Sequence, residues 1–179
     1  LELAKGKLTT DPENHSGEGI FFTSRMFDRF IIISKGLYFS HNEPDEEWLL
    51  EHEIDINGTS VQMSIRTKSD RKINDVFDAY ASNHQDYGFT RTHVPLSLAT
   101  YGDENLISRS QARRLLSRFR LFNEVLLDFN DVRTIGQAFA DEIFRVYARN
   151  NPDIDIVAIN TNKQIDKMIS RAQIRLHSS

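Results

Sequence analysis

The chain contains no cysteine. Disulfides and thiolate metal sites are therefore excluded, and the composition fits a reducing cytoplasm. No apolar run approaches the roughly 18 residues that a membrane-crossing helix needs. Leu1–Asp11 carries charges and no hydrophobic block, so it lacks a signal-peptide pattern. Positive charge is in deficit: 22 Lys and Arg stand against 26 Asp and Glu, a formal charge of −4. Phosphate contacts are made by Lys and Arg, so this balance argues against a nucleic-acid-binding body. His15, His41, His52, His84, His93 and His177 show no H-x-x-x-H or H-E-x-x-H spacing and read as surface or loop residues. Neither a G-x-S-x-G elbow nor a Walker-type G-K-[ST] occurs. Asp141 and Glu142 are adjacent, about 100° apart around a helix, and make no acid/base pair. No catalytic or metal-binding residue is therefore expected. Methionine is also missing from the first position, and Leu1 suggests a longer parent protein.

What is present is enough to fold. The 179 residues are 39% hydrophobic and 27% charged, which suits one domain or two small ones. The most informative stretch is Leu126–Tyr147. Leu126, Leu127 and Phe129, extended backwards by Val125, form a short apolar run that reads as a buried strand. Thr134 with Gln137 has the form of a capping box, in which hydroxyl and amide satisfy free backbone N–H groups at a helix start. Phe139, Ile143, Val146 and Tyr147 then share one helical face. The turn between them, Arg133–Gln137, lies where an open α/β sheet usually places its working residues.

Three parts follow along the chain: residues 1–69, a helical linker over 70–88, and residues 89–179. In the first, Ile20–Phe27 suits a short amphipathic helix. Phe30–Ser34 and Leu37–Ser40 flank Lys35-Gly36 as a hairpin. Asn42–Glu47 is an acidic loop with Pro44, and Leu49–Ile56 a further strand. Asn57-Gly58 is a second hairpin signal before Ser60–Arg66, where Val61, Met63 and Ile65 alternate with polar residues. Asp70–Asn83 is the linking helix, with Ile73, Val76, Phe77 and Tyr80 on one side, and Ser82–Tyr87 a polar boundary. Beyond it come a strand at Val94–Ala99, a helix at Arg109–Phe119, a strand at Glu124–Phe129, a helix at Gln137–Arg149, a strand at Ile154–Ile159 and a helix at Lys163–Leu176. Strands separated by helices of this length imply parallel pairing.

Ser16-Gly17-Glu18-Gly19 opens a helix, a context in which backbone N–H groups can hold phosphate. The wider run TTDPENHSGEGIFFTSRMFDRF, a hairpin, and Gly58-Thr59 at the head of an alternating strand resembles the C-terminal half of a histidine-kinase-type (GHKL) ATP-binding domain. The resemblance implies nucleotide contacts at Gly17, Glu18 and Gly19 on the phosphate side and Thr59 on the adenine side, with Thr9–His15 the remnant of a lid. That family's Mg-binding Asn helix and adenine-reading Asp-x-Gly-x-Gly segment would precede Leu1. ATP and Mg are thus implied for the intact protein only, and no cofactor is expected for this chain.

ISRSQARRLL, VLLDFNDVRTIGQAFADEIFRVY and IVAINTNKQIDKMISRA resemble the STAS-like domain family of unknown function, over about Phe89–Ala172. The resemblance implies a relative of anti-sigma-factor antagonists of prokaryotic partner-switching systems. Such antagonists carry a phosphorylatable serine at the start of the helix after the central strand. Here Gly136-Gln137-Ala138 occupies that place, and Thr134 is the nearest hydroxyl. The surface is therefore expected to be recognised by a protein partner rather than phosphorylated, through Arg133, Thr134, Gly136, Gln137 and Phe139.

Arg109, Arg113, Arg114, Arg118 and Arg120 concentrate positive charge on Ser108–Arg120, where Ser108 and Gln111 form another possible capping box. The helix reads as a solvated face or, secondarily, as a surface for an anionic partner, either nucleic acid or the acidic face of a protein. Together these readings give an α/β chain: a truncated α+β ATPase fragment, then a STAS-like βαβ layer. The expected function is non-catalytic regulation through a protein partner in the cytoplasm. A GHKL-class ATPase or protein kinase is the rival for the intact parent, and exposed strand edges make a homodimer conceivable.

Overall fold

A computed structural model describes residues 1–42, 46–51, 57–81, 88–99 and 105–177. Of the loop expected at Asn42–Glu47, Asn42 ends one strand (Leu37–Asn42) and Glu46 and Glu47 begin the next (Glu46–Glu51). Residues 43–45, residues 52–56 of the strand expected over Leu49–Ile56, and the boundary expected at Ser82–Tyr87 lie outside the described residues. The chain is a mixed α/β protein with two small sheets, divided into the units Leu1–Tyr87 and Gly88–Ser179.

The N-terminal unit holds α1 (Glu2–Lys5), α2 (Gly19–Met26), β1 (Arg29–Ser34), β2 (Leu37–Asn42), β3 (Glu46–Glu51), β4 (Thr59–Ser64) and α3 (Ile73–Ala79). Its strands run antiparallel in the order β3-β2-β1-β4. Lys35 and Gly36 both have positive φ, 44° and 73°, which gives a two-residue turn whose twist matches the flanking strands. The second hairpin signal, Asn57-Gly58, does not produce a hairpin. β4 pairs with β1, not with the strand before it, so these residues end a crossover. Val61, Met63 and Ile65 are about half exposed (48%, 51% and 57%), so the alternation in β4 covers no described core. α3 packs on α2 through Phe22–Phe77 and Phe21–Tyr80 ring contacts. Between the two helices Arg25 is buried, with its guanidinium over the Phe21 ring and Nε donating to the Tyr80 hydroxyl at 2.9 Å.

The C-terminal unit holds β5 (Arg91–Pro95), α4 (Arg109–Leu115), β6 (Glu124–Asp128), α5 (Gln137–Asp141), α6 (Ala148–Asn150), β7 (Asp155–Ile159) and α7 (Lys163–His177). A π-helical stretch, Glu142–Tyr147, joins α5 to α6 without a break. The three strands are parallel in the order β5-β6-β7. Thr92, Val94, Val125 and Leu127 point to one face and are fully buried, as the strand period of two requires. α5 packs against both α4 and α7, and Ala112, Leu115, Phe139, Ile143, Ile165 and Ile169 supply the helical side of this core. The opposite face carries Arg91, paired with Glu124, and His93, paired with Asp128.

The linking helix expected over Asp70–Asn83 is α3 over Ile73–Ala79, and in the C-terminal unit β5 and α4 also differ in extent from the sequence reading. β5 begins at Arg91 and gives way at Leu96–Ala99 to a 3-10 turn, three residues ahead of the expected strand. α4 ends at Leu115, because Arg118 takes a left-handed conformation (φ 69°). Phe119, at helical spacing from the buried Ala112, Leu115 and Leu116, stays in the core at 0% exposure beyond that reversal. Among the described residues no helix is long and apolar enough to cross a membrane.

Candidate functional site

The end of β6 is held by side chains from three segments. Asp128 Oδ1 accepts from the Asn130 backbone N–H at 2.8 Å and from Asn160 Nδ2 at 2.9 Å. Its Oδ2 lies 2.9 Å from His93 Nε2. A carboxylate only accepts, so His93 Nε2 is the donor in this hydrogen bond. Next in the chain, Asn162 Nδ2 donates to the carbonyls of Val132 (3.2 Å) and Arg133 (3.0 Å). Asn162 Oδ1 accepts from Gln164 and Ile165 N–H at the start of α7, both at 3.0 Å. One asparagine thus ties the turn after β6 to the helix after β7.

The far end of the turn is fixed by Leu106, which forms an isolated parallel bridge with Ile135 and accepts from Gly136 N–H at 2.8 Å. This bridge corrects the expected Thr134/Gln137 capping box. It keeps the chain extended through Gly136, so Gly136 is the N-cap of α5 and no side chain caps it. The Ser108/Gln111 box, by contrast, is complete: Ser108 Oγ accepts from Gln111 N–H at 3.2 Å and Gln111 Oε1 from Ser108 N–H at 2.9 Å.

The expected partner-facing residues separate into three kinds. Arg133 is exposed, and Thr134, Gly136 and Gln137 are half-buried. Gln137 borders a groove of about 440 Å³ with Met168, Arg171 and Ile174 of α7. Its Nε2 is buried and, among the described residues, has no hydrogen-bond partner. Phe139 is fully buried and belongs to the core, so its ring is out of reach of a partner. Its spacing with Ile143 marks the inner face of the helix, not the outer one.

The expected nucleotide-side residues lie in the N-terminal unit. Gly17 has φ 70°, and a Cβ there would stand 2.6 Å from the Leu8 carbonyl oxygen, so both its conformation and its packing call for glycine. Gly19, the first residue of α2, has open space around it. Glu18 precedes α2 without a side-chain cap, and its charge opposes the lowering of the Lys7 pKa by burial. Thr59 is exposed, and its hydroxyl lies 3.0 Å from that of Ser34. No hydrogen bond among the described residues joins Thr59 to the glycine segment.

The sequence reading missed two groupings. His93 was assigned to no strand; the parallel register sets Pro95 beside Asp128, which brings His93, two residues back on the same face, against that carboxylate. The second is the pair Asp141 and Glu142, exposed by only 4% and 5%. Arg145 donates twice to Asp141 at 2.6 Å, Arg109 reaches Asp141 at 3.3 Å, and Arg113 Nε donates to Glu142 Oε1 at 2.7 Å. The hydrogen bonds to Asp141 raise the Arg145 pKa above its usual value. Two of the five arginines on the α4 segment are therefore engaged with the chain's own carboxylates. The wider turn of the π-helical stretch starts at Glu142 and lets two adjacent acids be buried together.

Gly136 carries the tightest approach in the turn, since a Cβ there would stand 2.7 Å from Ile107 Cα and 2.8 Å from its carbonyl oxygen. Both neighbours are backbone, so Gly136→Ala is expected to shift the turn and cost about 1–3 kcal/mol. Denaturant titration measures this, and an unchanged midpoint contradicts the tight packing.

No curated protein and no solved structure matches the chain. No match extends to the N-terminal unit, so the ATPase resemblance rests on its sequence motifs alone. Residues 111–166, from α4 through β6, the turn, the π-helical stretch and β7 into α7, match the family described as STAS-like domain of unknown function (DUF4325).

Proposed function

We propose that the unit Gly88–Ser179 is a non-catalytic regulatory module that binds a partner protein at the turn Arg133–Ala138 and the groove between α5 and α7. The observation that carries this reading is the Gln137 amide: buried, unpaired among the described residues, and bordering that groove. An unsatisfied buried donor costs about 1–3 kcal/mol, and a partner's carbonyl would recover it. Met168 and Ile174 offer apolar surface beside it, and Ile174 is 66% exposed. The partner is thus a segment that brings a carbonyl oxygen to Gln137 and an apolar side chain to α7. The turn is rigid because Asp128, Asn162 and Leu106 each hold it, which lowers the ordering entropy of binding. Gln137 and Ala138 offer no phosphate acceptor, so control by phosphorylation at this position is not part of the proposal.

In a longer parent, we take the segment Gly17–Gly19 to belong to a GHKL-type ATP-binding part whose nucleotide state biases the module. The open space around Gly19 at the start of α2 supports that reading. The rival, a parent that is itself an ATPase or protein kinase, requires phosphate release by the full-length protein that is lost on changing Gly19.

A photo-crosslinking residue at Ala138 is expected to capture one defined protein in cells. With that protein purified, Gln137→Leu is expected to weaken binding about tenfold, equivalent to about 1.4 kcal/mol. An unchanged Kd contradicts the proposed surface. Calorimetric titration of this chain with MgATP is expected to show no micromolar binding, and a micromolar isotherm contradicts the division of labour.

A further inference from the structure

A second groove lies between the end of α4 and the π-helical stretch, away from Gln137. It measures about 470 Å³, within the range of roughly 300–1,000 Å³ typical of small-molecule sites. Arg113, Arg118 and Arg120 line it with Glu142 and Tyr147. Leu116 and Val146 supply apolar surface. Three guanidiniums thus face one carboxylate, a net excess of two positive charges in a chain whose formal charge is −4.

Two polar atoms in this groove are unspent. Glu142 Oε2 is buried without a hydrogen-bond partner among the described residues; Arg113 takes Oε1, and Arg109 Nε approaches only to 4.0 Å. The Tyr147 hydroxyl is also buried and, among the described residues, has no partner at hydrogen-bond geometry, although the Arg120 side chain approaches it. Burial raises its pKa, and the nearby Arg120 charge opposes that shift. The phenol is therefore a neutral donor at physiological pH. Arg120 itself is oriented by Asn151, whose Oδ1 accepts from Arg120 Nε at 3.1 Å and whose Nδ2 donates to the Tyr147 carbonyl at 2.9 Å.

Glu142 and Tyr147 are the first and last residues of the π-helical stretch. Such stretches are rare and occur frequently at functional sites. Buried unpaired polar groups are also uncommon, and each calls for an explanation such as a missing ligand. Here the wide turn and both unpaired groups coincide at one groove.

We propose that this groove binds a small phosphomonoester that also carries a hydroxyl. At neutral pH a phosphomonoester bears about −1.5 to −2 charge, which matches the local excess. Its oxygens accept from the forks of Arg113 and Arg120 and from the Tyr147 hydroxyl. The ligand's hydroxyl donates to Glu142 Oε2, which a simple anion would leave unpaired and repelled. Sugar phosphates and nucleoside monophosphates share this chemistry.

Titration of the chain with ribose 5-phosphate, AMP, ribose and inorganic phosphate, followed by amide NMR shifts, tests the proposal. Saturable shifts around Arg120 and Tyr147 are expected with ribose 5-phosphate or AMP, at least tenfold tighter than with phosphate or ribose. AMP binding tighter than ribose 5-phosphate identifies a nucleotide, and equal binding a sugar phosphate. Arg120→Gln and Tyr147→Phe are each expected to weaken the Kd at least fivefold. Tyr147→Phe should also raise Tm, because it removes an unpaired buried hydroxyl, and this shows that lost binding is not lost folding. The proposal is overturned if phosphate binds as tightly as the esters, if both variants leave Kd unchanged, or if no probe gives saturable shifts.

Discussion

Two adjacent carboxylates buried in one helix set the terms for the C-terminal unit. Asp141 and Glu142 are removed from water side by side, and like charges so placed repel one another. Arginines meet them from two directions: Arg145 from the same helix, and Arg109 and Arg113 from α4. Such a network is weak evidence for extra stability, since burying the charges is itself costly. Its consequence is positional, because removing the partner of a buried charge costs about 3–5 kcal/mol. The requirement sets the rotation of α4 against α5, and with it the face of α4 that carries Ala112 and Leu115 into the core.

The same requirement shapes the surface. α4 ends at Leu115, and Arg118, in its left-handed turn, lines the groove that Tyr147 also borders. On the other side of α5, the turn after β6 is fixed independently by the Leu106–Ile135 bridge, by Asp128 and by Asn162. One helix, α5 with its π-helical continuation, therefore borders two grooves of different character. The groove at Gln137 adjoins the site to which the STAS-like match and the turn geometry draw attention. The groove at Tyr147 is basic, and its unpaired groups ask for a smaller and more polar occupant.

Much of this was legible in local sequence. Val125, Leu126 and Leu127 of the apolar run lie on β6, with Phe129 one residue past its end, and the start of the next helix at Gln137 was identifiable from its periodicity. The Ser108/Gln111 box was identifiable because both partners are three residues apart and nothing distant competes. Thr134/Gln137 has the same spacing and fails, because the chain there is held extended by Leu106, a contact that no local pattern encodes. His93 and Asp128 are separated by 35 positions and meet only through parallel register. Phe139 enters the expected partner surface through the place that the antagonist resemblance gives to Gly136–Phe139, although the helical period of its own face points inward. The burial of Asp141 and Glu142 depends on a π-helical turn and on arginines from another helix, so an α-helical projection places them wrongly.

The claim that the acid–arginine clamp positions α4 against the π-helical stretch is tested most directly by a double-mutant cycle. Arg113→Ala, Glu142→Gln and the double variant are compared by denaturant unfolding. A coupling energy above about 1 kcal/mol, diminished by salt, is the predicted result for residues in direct contact. Effects that add to within about 0.3 kcal/mol would contradict it.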